Sequence, residues 1–145
     1  MKVDGACHCG RIRFEAEADP STVVICHCTD CQTLSGSAFR TVVPTRRGSF
    51  RLLSGAPRVY VKTADSGNQR QQTFCADCGT PIYSAPIGEG AKVVSLRVGN
   101  IRQRALLIPS DQYWHRSAQT WLGALPALKK RETQPSFDAS GGFSR

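Results

Sequence analysis

Three cysteines fall within six residues at Cys26-His27-Cys28-Thr29-Asp30-Cys31. Two further pairs stand apart from them, Cys7-His8-Cys9 and Cys75-Ala76-Asp77-Cys78. Soft thiolates grouped this tightly select zinc or an iron–sulfur cluster, and zinc is the default. Three thiolates leave the fourth position of a tetrahedral ion open, which separates a catalytic zinc site from a closed structural one. The stretch 26–31 therefore reads as a metal–thiolate centre that a substrate can reach.

The seven cysteines divide most simply into four and three, giving two zinc ions per chain. Cys7, Cys9, Cys75 and Cys78 can close a Cys₄ site that ties distant segments together and so contributes folding free energy directly. Cys26, Cys28 and Cys31 then form the open site, which holds its ion less firmly and is more easily oxidised. Spacing alone also permits Cys7 and Cys9 to pair with Cys28 and Cys31. Tetrahedral zinc with Zn–S bonds of ~2.3 Å needs sulfurs roughly 3.8 Å apart. A C-x-C pair on an extended strand reaches this because residues i and i+2 share a side, and C-x-x-C reaches it through a tight turn. His8 and His27, each between two cysteines, are expected to point away from the metal into exposed or outer positions. His27 and Asp30 are the candidates for moving a proton beside the open site.

The net charge of such a centre narrows its use. Three thiolates outweigh a divalent ion, which blunts its power to polarise water. Deprotonating and holding an incoming thiol is the more natural task, since a coordinated thiol loses its proton outright.

The rest of the chain must position these groups. Its 145 residues suit one domain with a real core. Thirteen glycines and eight prolines favour short strands and turns over long helices. Ile12, Phe14 and Ala16 alternate with charged residues, which predicts a half-buried strand over 11–17. Val23, Val24 and Ile25 deliver a β-branched run into Cys26. Residues 32–35 read as a helical turn ending at Gly36, and strands are expected near 39–43, 50–53, 58–62, 71–74, 82–83 and 93–98. Segment 75–79 has the form of a zinc knuckle. Tyr113, Trp114 and Trp121 are expected to pack onto the sheets. The fold class is all-β, with a domain over 1–128 and a polar, disordered tail over 129–145.

The charge of +8, from 19 basic and 11 acidic residues, attracts anions without a basic stripe that would signal nucleic acid. No apolar run is long enough for a membrane, and residues 1–10 lack the apolar core of a signal peptide. An odd number of clustered thiols fits a reducing compartment, so a cytoplasmic location is expected.

Three segments carry a resemblance. They are Gly5-Ala6-Cys7-His8-Cys9-Gly10 with Ile12-Arg13-Phe14, then Cys26-His27-Cys28-Thr29-Asp30-Cys31-Gln32-Thr33-Leu34-Ser35-Gly36-Ser37, then Phe74-Cys75-Ala76-Asp77-Cys78-Gly79-Thr80. Together they resemble the glutathione-dependent formaldehyde-activating enzyme family, whose domain also occurs in centromere protein V. The resemblance implies an Mss4-like fold of packed antiparallel sheets. It also implies a structural zinc on Cys7, Cys9, Cys75 and Cys78 and a catalytic zinc on Cys26, Cys28 and Cys31. The family reaction, that of a carbon–sulfur lyase, joins glutathione to formaldehyde as S-(hydroxymethyl)glutathione. Arg40, Arg46, Arg47 and Arg70 are the candidates for the glutathione carboxylates. Residues 111–121 depart from the family's pattern.

Two functions follow. One is a lyase acting on a thiol adduct of formaldehyde or a related small aldehyde. The other is a non-catalytic, zinc-stapled module, either a glutathione carrier or a protein-interaction domain. A binding module needs only the Cys₄ staple, so the second, open cluster favours the enzyme.

Overall fold

The computed structural model describes residues 1–142. Alternation in the sequence sets the core. Ile12, Phe14 and Ala16 are buried while Arg13 points outward, as a strand with one wet face requires. This strand, β2 (Arg13–Glu17), lies between β1 (Lys2–Ala6) and β5 (Arg51–Ser54) in a three-stranded antiparallel sheet. Residue 12 belongs to a loop, not to the strand, because the Ile12 carbonyl accepts from the Cys7 N–H at 3.0 Å to close a turn.

The second sheet has seven strands. In chain order they are β3 (Val24–Cys26), β4 (Arg40–Pro44), β6 (Arg58–Thr63), β7 (Gln69–Phe74), β8 (Pro81–Pro86), β9 (Ser95–Arg97) and β10 (Asp111–Tyr113). Their spatial order is β10-β3-β4-β9-β8-β7-β6. All neighbours are antiparallel except β10, which runs parallel to β3. The fold is therefore mostly β with one parallel edge, where antiparallel sheets throughout were expected.

Val43 and Leu96 face each other across β4 and β9 and are fully buried. They join Phe14, Val23, Ile82 and Ile101 in the core shared by the two sheets. Phe50 bridges them, its ring 5.8 Å from that of Phe14 and 4.7 Å from that of Tyr83. Gly5 is required where the sheets meet, since a Cβ there would lie 2.4 Å from both the Asn100 carbonyl oxygen and Phe14 Cζ.

One α-helix, α1 (Thr29–Ser35), occurs among the described residues. It begins three residues before the expected turn because Cys28 caps it, Sγ accepting from the Cys31 N–H at 3.3 Å. It ends at Gly36, as the sequence predicted, with that glycine in the left-handed conformation.

The end of the chain departs from expectation. Tyr113, Trp114 and Trp121 are each about half exposed and do not sit under the sheets. β10 instead pairs by backbone, and just after it Arg116 stacks over the Trp114 ring at 4.7 Å. Over 129–142 nearly every residue is exposed, with a turn at Asp138 that accepts from Ser140 and Gly142. The rest of the expected tail, 143–145, lies outside the described residues. No helix among the described residues is long and apolar enough to cross a membrane.

Candidate metal centres and the cavity between them

Two knuckles meet at the first centre. Cys7-His8-Cys9 is a turn after β1, not the extended strand that the C-x-C spacing suggested. The Gly10 N–H donates to the Cys7 carbonyl at 3.0 Å and the Gly79 N–H to the Cys75 carbonyl at 2.9 Å. Both glycines have positive φ, 78° and 71°, which lets each turn close. Thr80 ties the knuckles together, its hydroxyl accepting from the His8 N–H at 3.1 Å and lying 3.1 Å from Cys78 Sγ.

The four sulfurs of Cys7, Cys9, Cys75 and Cys78 all lie within 4.8 Å of one another. Cys7 and Cys9 are 3.5 Å apart and Cys9 and Cys75 3.8 Å, close to the edge of a zinc–thiolate tetrahedron. The alternative pairing of Cys7 and Cys9 with Cys28 and Cys31 is not the one the fold brings together. The Thr80 hydroxyl and backbone, with the Cys9 N–H, hold the Cys78 thiol at about 5. The Arg11 N–H favours the Cys9 thiolate, but the Cys7 sulfur, desolvation and the Cys78 and Cys75 sulfurs together outweigh it and push Cys9 up to about 12. Crowded sulfurs cannot all carry charge alone, so a cation suits this donor set.

The second centre gathers Cys26 from the end of β3, Cys28 from the helix cap and Cys31 from α1. Their sulfurs also lie within 4.8 Å of one another, and no further His, Cys, Asp or Glu joins the group among the described residues. A hydrogen bond from Cys31, then the Cys28 N–H, overcome burial and lower Cys26 to about 5. Cys31 is pushed up, first by Cys26 and then by burial. The two centres fit two zinc ions in ligand type and sulfur spacing.

His27 is not at the surface. It is fully buried, its Nε2 paired with Gln112 Oε1 at 2.8 Å and its ring packed edge-on against Phe39 and His115. Gln32 Nε2 donates to the His27 carbonyl at 2.7 Å and the Ser117 carbonyl at 2.9 Å, fastening the chain end to α1. Asp30 is held by an ion pair to Lys62 of β6. The two proton-shuttle candidates are thus both engaged in holding structure. His8 remains exposed.

Of the four candidate arginines the structure sets one, Arg40, beside the open centre. Arg46 pairs with Glu17 at 2.9 Å, and Arg47 donates to the Ala91 carbonyl at 3.2 Å, both on the other side of β4. Arg40, directly opposite Cys26 on β4, is buried. Arg97 follows on the same face, opposite Val42, and is also buried. Arg97 was not singled out in the sequence, where it lies between Leu96 and Val98 and carries no motif; only its place on β9 reveals it. Gln72 Oε1 accepts from Arg97 at 2.7 Å and from Arg40 at 3.4 Å. Arg70, on the same face of β7, donates to Ser84 at 3.5 Å.

Arg40, Arg97 and Gln72, but not Arg70, line a cavity of about 320 Å³. It starts one helical turn beyond Cys31, at Leu34, passes Arg40, Arg97 and Gln72, and reaches Gly79 of the first centre.

The family now follows from comparison. The model of the glutathione-dependent formaldehyde-activating enzyme family matches residues 2–117, which include all seven cysteines. The chain belongs to this family. As a glutathione-dependent formaldehyde-activating enzyme family member it also shares its fold with a crystal structure of a Rhodobacter sphaeroides protein. That match has a TM-score of 0.56 at 18% identity and covers 75% of this chain and 98% of the other.

Proposed function

We propose that the protein is a zinc-dependent carbon–sulfur lyase that forms a thiol adduct of a small aldehyde, with glutathione and formaldehyde as the leading pair. Family membership supports an enzyme of this kind. The observation that carries the reading is the cluster of Cys26, Cys28 and Cys31, three sulfurs without a fourth side-chain donor among the described residues, with Leu34 of the same helix and Arg40 opposite Cys26 both lining a cavity. Cys7, Cys9, Cys75 and Cys78 act as the structural staple, residues 1–128 as the working domain and 129–145 as a disordered tail. Seven free thiols suit a reducing, cytoplasmic setting.

Zinc on the three sulfurs would supply positive charge that favours the thiolate of an incoming thiol. The chemistry itself is an addition. The substrate sulfur donates an electron pair to the carbonyl carbon, forming a carbon–sulfur bond. The carbonyl π pair moves to oxygen, which takes up the proton released by the thiol. The cavity orients the thiol and limits water around the carbonyl.

Native mass spectrometry with and without glutathione tests the reading, together with exchange NMR of ¹³C-formaldehyde. Two zinc ions per chain, a glutathione complex absent from Cys28→Ser, and adduct formation faster than in buffer are expected. A complex without acceleration would leave a carrier. One zinc ion and no complex would overturn the proposal.

A further inference from the structure

His27 sits between two ligands of the open centre, and its bonds come from a distant part of the chain. Its N–H donates to the Tyr113 carbonyl at 3.0 Å. Its ring Nε2 pairs with Gln112 Oε1, 85 positions downstream, at 2.8 Å. Its carbonyl accepts from Gln32 Nε2 at 2.7 Å. Gln32 reaches further still. The same Nε2 donates to the Ser117 carbonyl at 2.9 Å, and Oε1 accepts from Gln119 Nε2 at 2.8 Å. Both amide protons and the amide oxygen are thus in use. One residue after Cys31, this side chain joins the cysteine loop, the first turn of α1 and the segment 111–119.

That segment is held against its backbone preference. Trp114 has a φ of 57°, the only positive value at a non-glycine residue among the described residues. A bulky residue stays in that region only where its surroundings over-determine it. The turn closes as the Ser117 and Ala118 N–H groups donate to the Trp114 and His115 carbonyls at 3.0 and 2.9 Å. Ligand geometry follows from these ties. Three ligands within six residues form a short loop that, left free, must give up backbone freedom to take a metal. Fixing both the N–H and the carbonyl of His27 fixes the peptide planes on either side of it, and with them the directions of the Cys26 and Cys28 side chains. The Cys₄ staple is set by other groups, Thr80 and the two knuckle turns.

We infer that segment 111–119 is a clamp that sets how tightly the open centre holds its ion, with Gln32 as the positioning residue that latches it. The inference rests on the reading above that the three-cysteine centre takes a metal, and adds what controls its occupancy. It is independent of the substrate. Coupling of this kind is reciprocal: a docked clamp that strengthens metal binding is itself strengthened by the metal, by the same factor.

The test strips the zinc-loaded, full-length chain with graded chelator, counting ions by native mass spectrometry and marking the emptied site by which cysteines become alkylated. Gln32→Met keeps side-chain length and helix propensity while removing both donors and the acceptor. It is expected to weaken the hold on the open centre's ion by about 10–100-fold, as removal of a group that orients a metal ligand does. The ion on Cys7, Cys9, Cys75 and Cys78 should stay as firmly bound as in the wild type. The reciprocal measurement uses the wild type alone, so a variant that misfolds does not remove the test. Amide exchange at Ser117 and Ala118, which lie in the clamp and not in the cysteine loop, should quicken by about 10-fold or more once the open centre is emptied. Equal retention of both ions in Gln32→Met overturns the clamp and leaves the metal centre standing. So does exchange at Ser117 and Ala118 that ignores the metal. Loss of both ions together also overturns it, since that is a general loosening of the fold. A wild type that binds a single ion, with Cys26, Cys28 and Cys31 open to alkylation, overturns both the clamp and the metal centre.

Discussion

Cys26 and Arg40 stand directly opposite one another on β3 and β4. The sheet thus sets a metal-type ligand and a buried cation side by side on one face, at a cross-strand separation of about 5 Å between Cα atoms. Burial lowers the Arg40 pKa, while Cys31, Cys28 and Cys26 oppose that shift by attraction. The thiolates and the guanidiniums each make the other's burial tolerable. Neither set is an isolated feature.

The two cysteine clusters should answer mutation differently. Cys78→Ser removes a ligand that joins segments distant in sequence. We expect a loss of about 4 kcal/mol or more, or roughly 10–15 °C in Tm for a chain of this size. Cys28→Ser should cost far less and leave the melting transition cooperative, while abolishing the second zinc ion. Thermal melts followed by circular dichroism, with metal counts by native mass spectrometry, separate the two. Equal unfolding by both variants would remove the basis for an open site.

Chelation should proceed in two stages, the three-cysteine centre emptying first because it has fewer ligands. In the protein stripped at that site, Cys26 is a thiolate above about pH 5 while Cys31 is pushed up and stays protonated. Alkylation at Cys26 should therefore rise through pH 5 and level off, with Cys31 nearly inert at pH 6–7. Peptide mapping after iodoacetamide treatment reads this directly. Faster labelling of Cys31 than of Cys26 would contradict it. The sign for stability is the same: a depressed Cys26 pKa favours the folded state above the thiol's ordinary range, and that contribution fades as pH falls toward 5.

Gln112→Leu should strip the buried His27 ring of its one hydrogen-bond partner, since Nδ1 already has none. A cost of about 1–3 kcal/mol is expected, with thiol binding weakened as β10 loosens from β3. A melting curve unchanged within error would show that Gln112 does not hold the histidine.

Much of the site could be read from residue types. Cysteine spacing marked both clusters, and alternation at Ile12, Phe14 and Ala16 marked the core face of β2. Gly36 and Gly79 marked a helix end and a knuckle through their backbone needs. β1 escaped because Gly5 and Asp4 break its apolar pattern, and β10 because a parallel edge strand of three residues is held by backbone pairing alone. Arg97 was invisible for a different reason. Its chemistry comes from burial beside Arg40, which depends on how β4 and β9 register, and no local pattern encodes register between distant strands. Arg46 and Arg47 formed the more obvious basic pair, yet Glu17 and Ala91 engage them elsewhere.

The staple between the knuckles also sets an order of events during synthesis. Cys9 and Cys75 are separated by 66 positions, so at ~5–20 residues per second the ribosome exposes the first pair roughly 3–13 s before its partners exist. Cys26, Cys28 and Cys31 emerge together inside that interval. A nascent chain thus passes through a stage in which the only complete thiol groupings are the wrong one, Cys7 and Cys9 with Cys28 and Cys31, and the local trio. Early metal capture by α1's short segment would protect against the first of these, and the working centre would then be loaded before the scaffold that supports it is finished.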